Sequence, residues 1–371
     1  MKIGIVTPFF YPFDGGAERN AFFLGKELAK KHDVTVFTAD KRGKEVIEKK
    51  YEVLAGMQIY RCRTFFRYRH YFGIYPELIT KLLAVKLDIL HVHGVGFPQQ
   101  EVAVCLKKIF SPKTKIIITP HGPFMALKQY DIWKSVLKFL YMPLLKFFNK
   151  IYDTAIAQTP YNYSWFKEYG FKKIAALPAG IPQNFIAEKA GKKRSHIVCY
   201  IGRLQRYKGA DQIIKVLPRL KDKFSDIQLI LVGQDAGDRE RLQNLAKELG
   251  VIDSIIFAGE VSENEKLKIL DKSSVLVFPS EWEAFGIVIL EAMARGLPVV
   301  SSKTEGGKFL IEEGTNGYLF EFNNVLDLRR KLVKILSNQN LQVKMGRNNL
   351  EKVKRFVWPK LAKDLEEIYI Q

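Results

Sequence analysis

The sequence predicts two Rossmann-like domains in tandem, each an α/β unit with a parallel sheet covered by helices on both faces. Short apolar runs rich in β-branched residues alternate with longer amphipathic patterns along all 371 residues. Buried strands joined by helices are typical of parallel sheets. A segment rich in turn residues and then in charges, residues 178–195, separates two halves of similar length, and a chain of this length accommodates two domains.

Each apolar run that ends at turn residues predicts one strand. In the first half the predicted strands are Lys2–Val6, Val34–Thr38, Gln58–Cys62, Asp88–His91, Lys115–Thr119, Ala155–Gln158 and Ile174–Leu177. In the second half they are Ile197–Ile201, Gln228–Val232, Ser254–Phe257, Val275–Phe278 and Pro298–Val300. Apolar residues at helical spacing predict intervening helices, among them Ala17–Lys30, Pro76–Lys86, Ala210–Lys223, Asp238–Leu249, Glu263–Leu270 and Ile287–Arg295. Apolar residues of 131–150 cover most of a helix circumference, which favours a mostly buried helix there.

Composition excludes several classes of protein. With 47% hydrophobic and 26% charged residues, the chain is neither disordered nor of low complexity. No uncharged apolar run approaches the roughly 18 residues that a membrane-spanning helix needs. Three widely spaced cysteines, Cys62, Cys105 and Cys199, cannot form a disulfide framework or a thiolate metal cluster. We therefore expect a reducing, cytoplasmic location.

The strongest chemical signal follows the predicted strand Val275–Phe278. Glu283 and Glu291 flank a short segment, residues 284–286, at which a helix is expected to begin. Backbone amides at a helix N-terminus bind anions, and a carboxylate set back on such a helix can accept both hydrogens of a ribose diol. The alternative is two solvated glutamates that bracket a core helix. The neighbouring Phe-Gly and Ala-Met-Ala-x-Gly-x-Pro sequences favour the binding site.

A second candidate site follows the predicted strand Ile197–Ile201. Arg203 presents a planar fork of donors that matches phosphate oxygens, and Lys208 adds a mobile point charge. Gly202 permits close approach of a ligand to the backbone, and Gly209 is expected to begin the next helix. Two cations at a strand end suit a diphosphate that gains charge as its bond to a sugar breaks. The alternative is a basic surface loop.

Two weaker signals lie in the first half. Gly15 and Gly16 follow the first strand and open a helix, where a tight turn brings backbone close to a substrate; the third glycine of a dinucleotide fingerprint is missing, so no nicotinamide cofactor is expected. His121 stands just past a strand end, among turn residues. His91 and His93 would share one face of a strand, but no cysteine or acidic cluster accompanies them, so we expect structural histidines and no metal site.

Taken together, these motifs resemble the retaining glycosyltransferases of the GT-B fold, specifically family GT4, also called glycosyl transferase group 1. The resemblance spans nearly the whole chain and is densest from residue 202 to residue 319. It is carried by Gly-Arg-x4-Lys-Gly at 202–209, Val232-Gly233, Glu-x7-Glu at 283–291, Gly306-Gly307 and Gly314-x-x-Gly317-x-Leu319.

The resemblance implies two Rossmann-like domains that face each other across a cleft. Residues 1–184 would bind the acceptor and residues 185–371 the nucleotide-sugar, and the last helix (about 357–371) would return to the first domain. One departure lies at the linker, where the family often has Asn-Gly-x-Asp and this chain has Ala179-Gly180-Ile181-Pro182. The departure removes two polar groups from the hinge side of the implied cleft.

The resemblance also implies a role for each candidate residue. Arg203 and Lys208 would hold the diphosphate and stabilise it as the leaving group, and Glu291 would bind the ribose. The implied catalytic residues are His121, Arg203, Lys208 and Glu283. The implied donor-binding residues are Gly16, Gly202, Arg203, Lys208, Glu283, Ala284, Phe285, Gly286 and Glu291. The implied reaction uses a UDP-, GDP- or ADP-sugar, retains the configuration of the sugar, and needs neither a metal nor a cofactor.

Positive charge is concentrated in the half that the resemblance assigns to the acceptor. The chain has 59 Lys and Arg against 39 Asp and Glu, a net charge of +20, and residues 1–185 hold 28 and 14 of them. Cations and aromatics alternate in residues 61–72, which suits the surface of an anionic bilayer or, alternatively, a strand that continues into a solvated loop. The candidate acceptor- or membrane-contacting residues are Gly15, Arg61, Arg63, Phe65, Phe66, Arg67 and Arg69.

We therefore expect a hexosyltransferase that moves a sugar from a nucleotide-diphosphate donor to a lipid-linked or cell-envelope glycan acceptor. We expect it in the cytoplasm, with peripheral attachment to the inner face of the cell membrane, and with no nucleic-acid partner. One alternative is a nucleotide-sugar epimerase or a phosphorylase-like enzyme on the same fold, which would need paired acid and base carboxylates or a pyridoxal-bearing lysine. The other is a nucleic-acid-binding protein, suggested by the charge alone.

Overall fold

The structure is a computed structural model that describes residues 1–13, 15–68, 72–124, 132–191 and 196–371. It divides into two compact units. Unit 1 comprises Met1–Gly180 and Trp358–Gln371, and unit 2 comprises Ile181–Val357. The division comes a few residues before the boundary expected after residue 184.

Unit 1 is built on an eight-stranded sheet. Its strands, together with two short hairpins, are β1 (Lys2–Val6), β2 (Asp33–Ala39), β3 (Lys41–Arg42), β4 (Glu45–Val46), β5 (Tyr51–Leu54), β6 (Met57–Cys62), β7 (Phe66–Tyr68), β8 (Phe72–Ile74), β9 (Ile89–His93), β10 (Lys115–Thr119), β11 (Thr154–Ala157) and β12 (Ile174–Ala176). The sheet order is β12-β11-β10-β9-β1-β2-β6-β5. Neighbouring strands are parallel except β5 and β6, while β3–β4 and β7–β8 form the antiparallel hairpins.

Unit 2 is built on a six-stranded, all-parallel sheet. Its strands are β13 (Ile197–Ile201), β14 (Gln228–Val232), β15 (Ile255–Gly259), β16 (Val275–Phe278), β17 (Val299–Ser302) and β18 (Gly317–Phe320). The strand order is β15-β14-β13-β16-β17-β18. Along the chain, β13 to β15 are added toward one edge of the sheet and β16 to β18 toward the other, so the order reverses between β13 and β16, as in a Rossmann fold. In unit 1 the corresponding reversal lies between β1 and β9. Ligands of such sheets bind outside the carboxyl ends of the strands at these positions.

Helices connect the strands of both sheets. They are α1 (Gly16–Leu28), α2 (Glu77–Ala84), α3 (Pro98–Phe110), α4 (Ile132–Asn149), α5 (Tyr163–Glu168), α6 (Ala210–Lys221), α7 (Arg239–Glu248), α8 (Glu263–Lys272), α9 (Ile287–Ala294), α10 (Glu305–Leu310), α11 (Val325–Leu336), α12 (Gln339–Val353) and α13 (Trp358–Ile370). Among the described helices, none has both the length and the hydrophobicity to cross a bilayer.

Every strand predicted from sequence is present, within one or two residues at most ends. The predictions omitted β5, β18 and the two hairpins. β5 is an antiparallel edge strand whose side chains alternate between exposed and half-buried, so it contains no continuous apolar run. β18 is four residues long and begins with Gly317. Both lack the buried, β-branched run on which the other predictions rested.

The terminal helix α13 packs in unit 1. Trp358 stacks on Phe23 of α1 with ring centroids 5.6 Å apart, and His32 is 2.9 Å from the carboxylate of Glu366. Lys115 of β10 donates to the backbone carbonyl of Tyr369. Helix α13 therefore belongs to the same unit as α1 and β10.

The prediction of a mostly buried helix at 131–150 is wrong. Helix α4 buries Leu145 completely but leaves Phe139 and Leu140 78% and 67% exposed. Pro143 lies inside the helix without ending it. The apolar residues do cover most of the circumference, yet unit 1 supplies neighbours for one side of the helix, so the burial predicted from composition applies only to that side.

Candidate active site

The candidate site of unit 2 lies where two loops leave the adjacent strands β13 and β16. The first loop, residues 202–209, contains a single 3-10 turn at Arg206–Lys208. The second, residues 279–286, leads into α9. Parallel strands end at the same edge of a sheet, so the topology brings the two predicted motifs together.

The two loops are joined by backbone contacts. The backbone amide of Glu281 donates to the carbonyl of Tyr207 (2.8 Å), and the side-chain amide of Gln212 of α6 donates to the carbonyl of Pro279 (3.1 Å). Gly209 has φ +69°, and a Cβ there would lie 2.2 Å from the Pro279 carbonyl oxygen. Only glycine combines that backbone conformation with that close approach. Gly209 is the N-cap of α6, so the helix itself begins one residue later, at Ala210.

Lys208 and Glu283, predicted separately from the two motifs, form an ion pair. The Nζ atom lies 2.7 Å from Oε2, and the two side chains are 14% and 24% exposed. Burial alone would lower the pKa of Lys208, but the carboxylate of Glu283 and the nearby Tyr207 together outweigh burial, so the pKa is raised. The ammonium also lies 5.1 Å from the Tyr207 ring and 5.8 Å from the Phe278 ring. This lysine therefore stays cationic, in a setting where its charge is only weakly screened.

Arg203 lies at the exposed side of the same loop. Its guanidinium donates to the Tyr207 hydroxyl across 3.3 Å, and its carbonyl accepts from the Tyr200 hydroxyl. The preceding Gly202 donates its amide to the carbonyl of Val232 at the end of β14. Arg203 thus combines a backbone position held by hydrogen bonds with a side chain that can reorient toward a ligand.

Residues 284–286 offer backbone rather than side chains. Ala284 and Phe285 are buried, and the Phe285 ring packs near Phe309 and Phe356. Gly286 has φ +83° and is the N-cap of α9, which has no side-chain cap. The amides at this helix start carry the partial positive charge that attracts an anion.

Glu291 lies one turn inside α9, buried, with Oε1 2.7 Å from the Nζ atom of Lys266. Lys266 belongs to α8, is itself buried, and also pairs with Glu263 at 2.9 Å. Sequence reasoning missed Lys266. Its position four residues before the buried Leu270 places it on the inward side of α8, where a lysine needs an acidic partner.

Two candidate residues of unit 1, Gly15 and Gly16, lie at the start of α1. Gly15 has an extended backbone (φ 174°) and Gly16 is the first residue of α1. The expected tight turn at these glycines is therefore absent at Gly15, where any residue could adopt the observed φ. A side chain at Gly15 would meet the flexible carboxylate of Glu18.

His121 stands in a left-handed backbone conformation, φ +62°. Such a conformation is uncommon for a residue other than glycine and concentrates at functional sites. Its Nε2 atom lies 2.9 Å from Nδ1 of His93, and the two rings stack. His91 lies between the Tyr369 hydroxyl (2.7 Å) and the Thr119 hydroxyl (2.8 Å). His91 and His93 do share a face of β9, and both have hydrogen-bonding partners.

Burial lowers the pKa of all three imidazoles. The pKa of His91 falls to about 3, and the neighbouring His121 adds to the effect of burial. The pKa of His93 falls well below its usual value through burial and the other two histidines. The pKa of His121 falls to about 4 through burial, against a hydrogen bond with Gln158 that raises it. The cluster is neutral at physiological pH.

The basic-aromatic segment 61–72 is only partly a surface. Arg61 is fully buried, with Nη2 2.6 Å from Glu52 and 2.7 Å from the carbonyl of Tyr11, so its assignment to a membrane or acceptor surface is wrong. Arg67 is half-buried over the ring of Phe9, and burial lowers its pKa.

The other members of that segment differ. Arg63, Phe65 and Phe66 are exposed, and Arg63 lies over the ring of Phe65. Arg69 lies outside the described residues. Composition alone does not tell whether Arg61 of β6 is buried or exposed. In the structure it is buried because the neighbouring strand β5 supplies Glu52 as its partner.

Two family profiles match the two halves of the chain. The family described as "Glycosyltransferase Family 4" matches residues 14–185, and the one described as "Glycosyl transferases group 1" matches residues 182–352. The phosphatidyl-myo-inositol mannosyltransferase of Mycobacterium leprae is 25% identical over 378 residues, which cover all of this chain and 96% of the relative.

Solved structures show the same fold. Sucrose-phosphate synthase from Thermosynechococcus elongatus superposes with a TM-score of 0.80 at 20% identity, covering 100% of this chain and 98% of that one. Anabaena HepE in complex with UDP-glucose superposes with a TM-score of 0.76 at 18% identity, covering 99% of each chain. With both halves matched by the profiles and the whole chain by the structures, this protein belongs to the group 1 (GT4) glycosyltransferases of the GT-B fold and is a transferase enzyme.

Proposed function

We propose that unit 2 binds a nucleotide-diphosphate sugar (UDP-, GDP- or ADP-linked) and that unit 1 binds a lipid-linked or cell-envelope glycan acceptor, to which the sugar passes with retention of configuration. In this proposal the protein is a cytoplasmic hexosyltransferase that needs neither a metal nor a cofactor, and nucleic acid is not its partner. The structure of HepE with UDP-glucose and the acceptor named in the mycobacterial mannosyltransferase support the two substrate classes.

The observation that carries the proposal is the Lys208–Glu283 pair at the carboxyl edge of the unit 2 sheet. A donor diphosphate brings two negative charges to a lysine that is already shielded from water. The phosphate oxygens would replace Glu283 as the partner of Lys208, and Arg203 would reorient onto the same oxygens. Glu283, released from Lys208, would then accept hydrogen bonds from the transferred sugar.

Group transfer follows from this exchange of partners. The bond between the anomeric carbon and the phosphate oxygen breaks as the acceptor oxygen bonds to that carbon, and the acceptor proton passes to the departing phosphate. Lys208 and Arg203 stabilise the charge that develops on the leaving diphosphate, a contribution of about 3 kcal/mol for one well-placed donor. Glu291 would receive the ribose hydroxyls, while Gly202, Gly286 and the amides of residues 284–286 would contact the donor through backbone.

Unit 1 would supply Gly16 beside the donor phosphates and acceptor, and His121 beside the reacting sugar. With its pKa lowered to about 4, His121 is a neutral imidazole that adds no positive charge. That property suits a group close to a sugar carbon that becomes positively charged, because a cationic imidazole there would oppose the reaction.

The proposal is tested by thermal unfolding with UDP-, GDP- and ADP-sugars in the presence of EDTA. A donor present at 100 times its dissociation constant adds about 2.7 kcal/mol of stability. We expect one nucleotide class to stabilise the wild type and the control Glu351→Gln, which alters an exposed carboxylate of α12, but not Glu291→Gln. The donor site would be refuted if no nucleotide sugar stabilised the protein, or if Glu291→Gln responded like the wild type.

Stereochemistry is tested on the product. Proton NMR of the first-formed glycoside from an α-linked donor should show an α linkage, and an initial β linkage would exclude retention. Turnover that requires added metal after EDTA treatment would exclude the metal-independent mechanism. Conversion of the donor to its epimer without any acceptor would indicate the epimerase alternative.

A further inference from the structure

Helix α4 presents an exposed apolar face. Val136, Phe139, Leu140, Leu144 and Phe147 are between 43% and 78% exposed and recur at helical spacing of three and four residues. We call these five residues the α4 face. Contiguous exposed apolar patches on soluble monomers are usually small, and larger ones mark interaction sites.

The opposite side of α4 is anchored in unit 1. Leu145 is fully buried, Tyr141 and Met142 pack against the core, and the Tyr141 hydroxyl donates to Glu101 of α3. Asn149 donates to the carbonyl of Tyr169 at the end of α5. The α4 face is therefore held outward by packing on its other side.

Exposed apolar side chains are distributed unequally between the units. Of the 21 large hydrophobic residues exposed in the described part of the chain, 19 belong to unit 1, and Ile256 and Leu326 are the two that belong to unit 2. The hairpin β7–β8, which packs against α3, contributes Phe66, Phe72 and Ile74. The exposed apolar surface thus belongs to the unit assigned to the acceptor.

The charge around the α4 face is positive. Residues 132–150 contain four lysines and no aspartate or glutamate, and Lys146 and Lys150 are exposed. Unit 1 has 30 Lys and Arg against 17 Asp and Glu, a net charge of +13, compared with +7 for unit 2. A second copy of the chain would place lysines opposite lysines, whereas an anionic bilayer supplies both the apolar interior and the opposite charge.

We propose that the α4 face inserts into the interface of an anionic bilayer, with Lys146 and Lys150 at the headgroups. The helix then lies in the plane of the membrane, with its apolar side chains among the acyl chains. This deepens the proposed function, on which it rests for the lipid-linked acceptor: the same unit would bind the acceptor and the surface that contains it. The main contact is α4 rather than the segment 61–72, in which Arg61 is buried.

The proposal is tested by cosedimentation of the 371-residue chain with vesicles of phosphatidylcholine, with or without phosphatidylglycerol. We expect Phe139→Gln/Leu140→Gln to weaken binding to the anionic vesicles at least about tenfold, because two exposed apolar side chains no longer leave water. Lys146→Gln/Lys150→Gln should weaken it by about fivefold for each lysine, and only on vesicles that contain phosphatidylglycerol.

Two controls separate this face from the rest of the surface. Leu326→Gln changes a residue of unit 2 that is 70% exposed, comparable to Leu140, and should bind vesicles like the wild type. Phe65→Gln/Phe66→Gln changes two exposed aromatic residues of the segment 61–72 and should weaken vesicle binding less than the α4 variant does. The proposal is overturned if the α4 variant binds like the wild type, or if light scattering shows a wild-type dimer that the variant abolishes without changing vesicle binding.

The same samples also distinguish this proposal from the proposed function. All variants are unfolded thermally with the stabilising nucleotide sugar, which reports the donor site alone. Stabilisation by the donor together with loss of vesicle binding supports the α4 face. Vesicle binding through α4 without any donor response would reject the nucleotide-sugar proposal and leave the membrane face standing.

Discussion

At the level of single residues, the candidate donor site is characterised by charges that are already paired. Lys208 is matched with Glu283, and Lys266 with Glu291, each at 2.7 Å. The two pairs differ in exposure, because the first is partly open to solvent and the second is buried. A ligand can therefore replace Glu283 as the partner of Lys208 at a modest cost in free energy, whereas Lys266 and Glu291 stay paired.

Lys208→Ala tests the first pair. We expect kcat to fall about 100-fold or more while donor affinity falls less than about tenfold, because the lysine interacts most strongly with charge that develops on the leaving group. Initial rates and calorimetric donor binding measure the two effects. Lys215→Ala, which removes a lysine paired with Asp211 on the exposed side of α6, should change neither. Equal losses in kcat/KM and in affinity would mean that Lys208 binds only the ground state.

Lys266→Met tests the second pair by stability. Removing the ammonium deletes the 2.7 Å ion pair with the buried carboxylate of Glu291, and we expect a loss of about 3 kcal/mol in the free energy of unfolding. Lys266→Met/Glu291→Leu should recover most of that loss, because an apolar pair needs no solvation. Lys354→Met, at an exposed pair, should cost under about 1 kcal/mol. Urea unfolding at neutral pH measures the stability of all three variants. A Lys266→Met variant as stable as the wild type would contradict a structural role for the Lys266–Glu291 pair.

At the level of elements, the candidate site of unit 2 lies where two strand–helix connections contact each other. In the first connection α6 begins after Gly209, and in the second α9 begins after Gly286. The backbone contact at Pro279 fixes the spacing between the two loops. A third element, α10, approaches so closely that a Cβ at Gly306 would overlap the carbonyl of Phe285. Small residues at these contacts therefore position Lys208 relative to Glu283.

Gly209→Ala tests the contact between these two connections, and Gly250→Ala is its matched control. Gly250 has nearly the same φ (+66°) but no atom within 4 Å of an added Cβ, so Gly250→Ala measures the backbone cost alone, about 1–2 kcal/mol. Gly209→Ala adds the overlap with Pro279 and should destabilise further and weaken donor binding. Chemical unfolding and donor titration measure both variants. Equal destabilisation, with unchanged donor affinity in both, would show that the contact at Pro279 does not position the site.

At the level of the whole molecule, the two units share a topology and differ in their surface and charge. Each reverses its strand order at one point, and each places candidate residues beside that point. Unit 1 has most of the exposed apolar side chains and most of the excess positive charge. It also contains a buried histidine cluster that involves β9, β10 and the terminal helix.

That cluster makes stability depend on pH. Above about pH 6.5 the imidazoles are neutral in both folded and unfolded chains, so their full contribution to stability is present. Below it the unfolded chain binds protons that buried His91, with a pKa of about 3, does not accept, so the free energy of unfolding falls by about 1.4 kcal/mol per pH unit for each such histidine. Urea unfolding between pH 7 and the acid range measures the slope. His91→Gln, which retains hydrogen-bonding groups, should reduce it by about one proton, and an unchanged slope would contradict the buried neutral state.

Much of the architecture was predictable because it depends on short-range patterns. Buried parallel strands are continuous apolar runs, so their number and their approximate ends follow from hydrophobicity and turn residues. The motifs containing Arg203, Lys208, Glu283 and Glu291 follow strands directly, which already places them at one edge of a sheet. The resemblance to GT4 glycosyltransferases rests on these same local features.

Other features depend on contacts between segments distant in the chain. Lys266 meets Glu291 because α8 packs beside α9, and Arg61 is buried because β6 pairs with β5, which contributes Glu52. The exposure of Phe139 depends on which side of α4 packs against the rest of unit 1. An amino-acid pattern states that a side chain is apolar or charged, but whether it meets a partner, water or a bilayer depends on what the fold brings next to it.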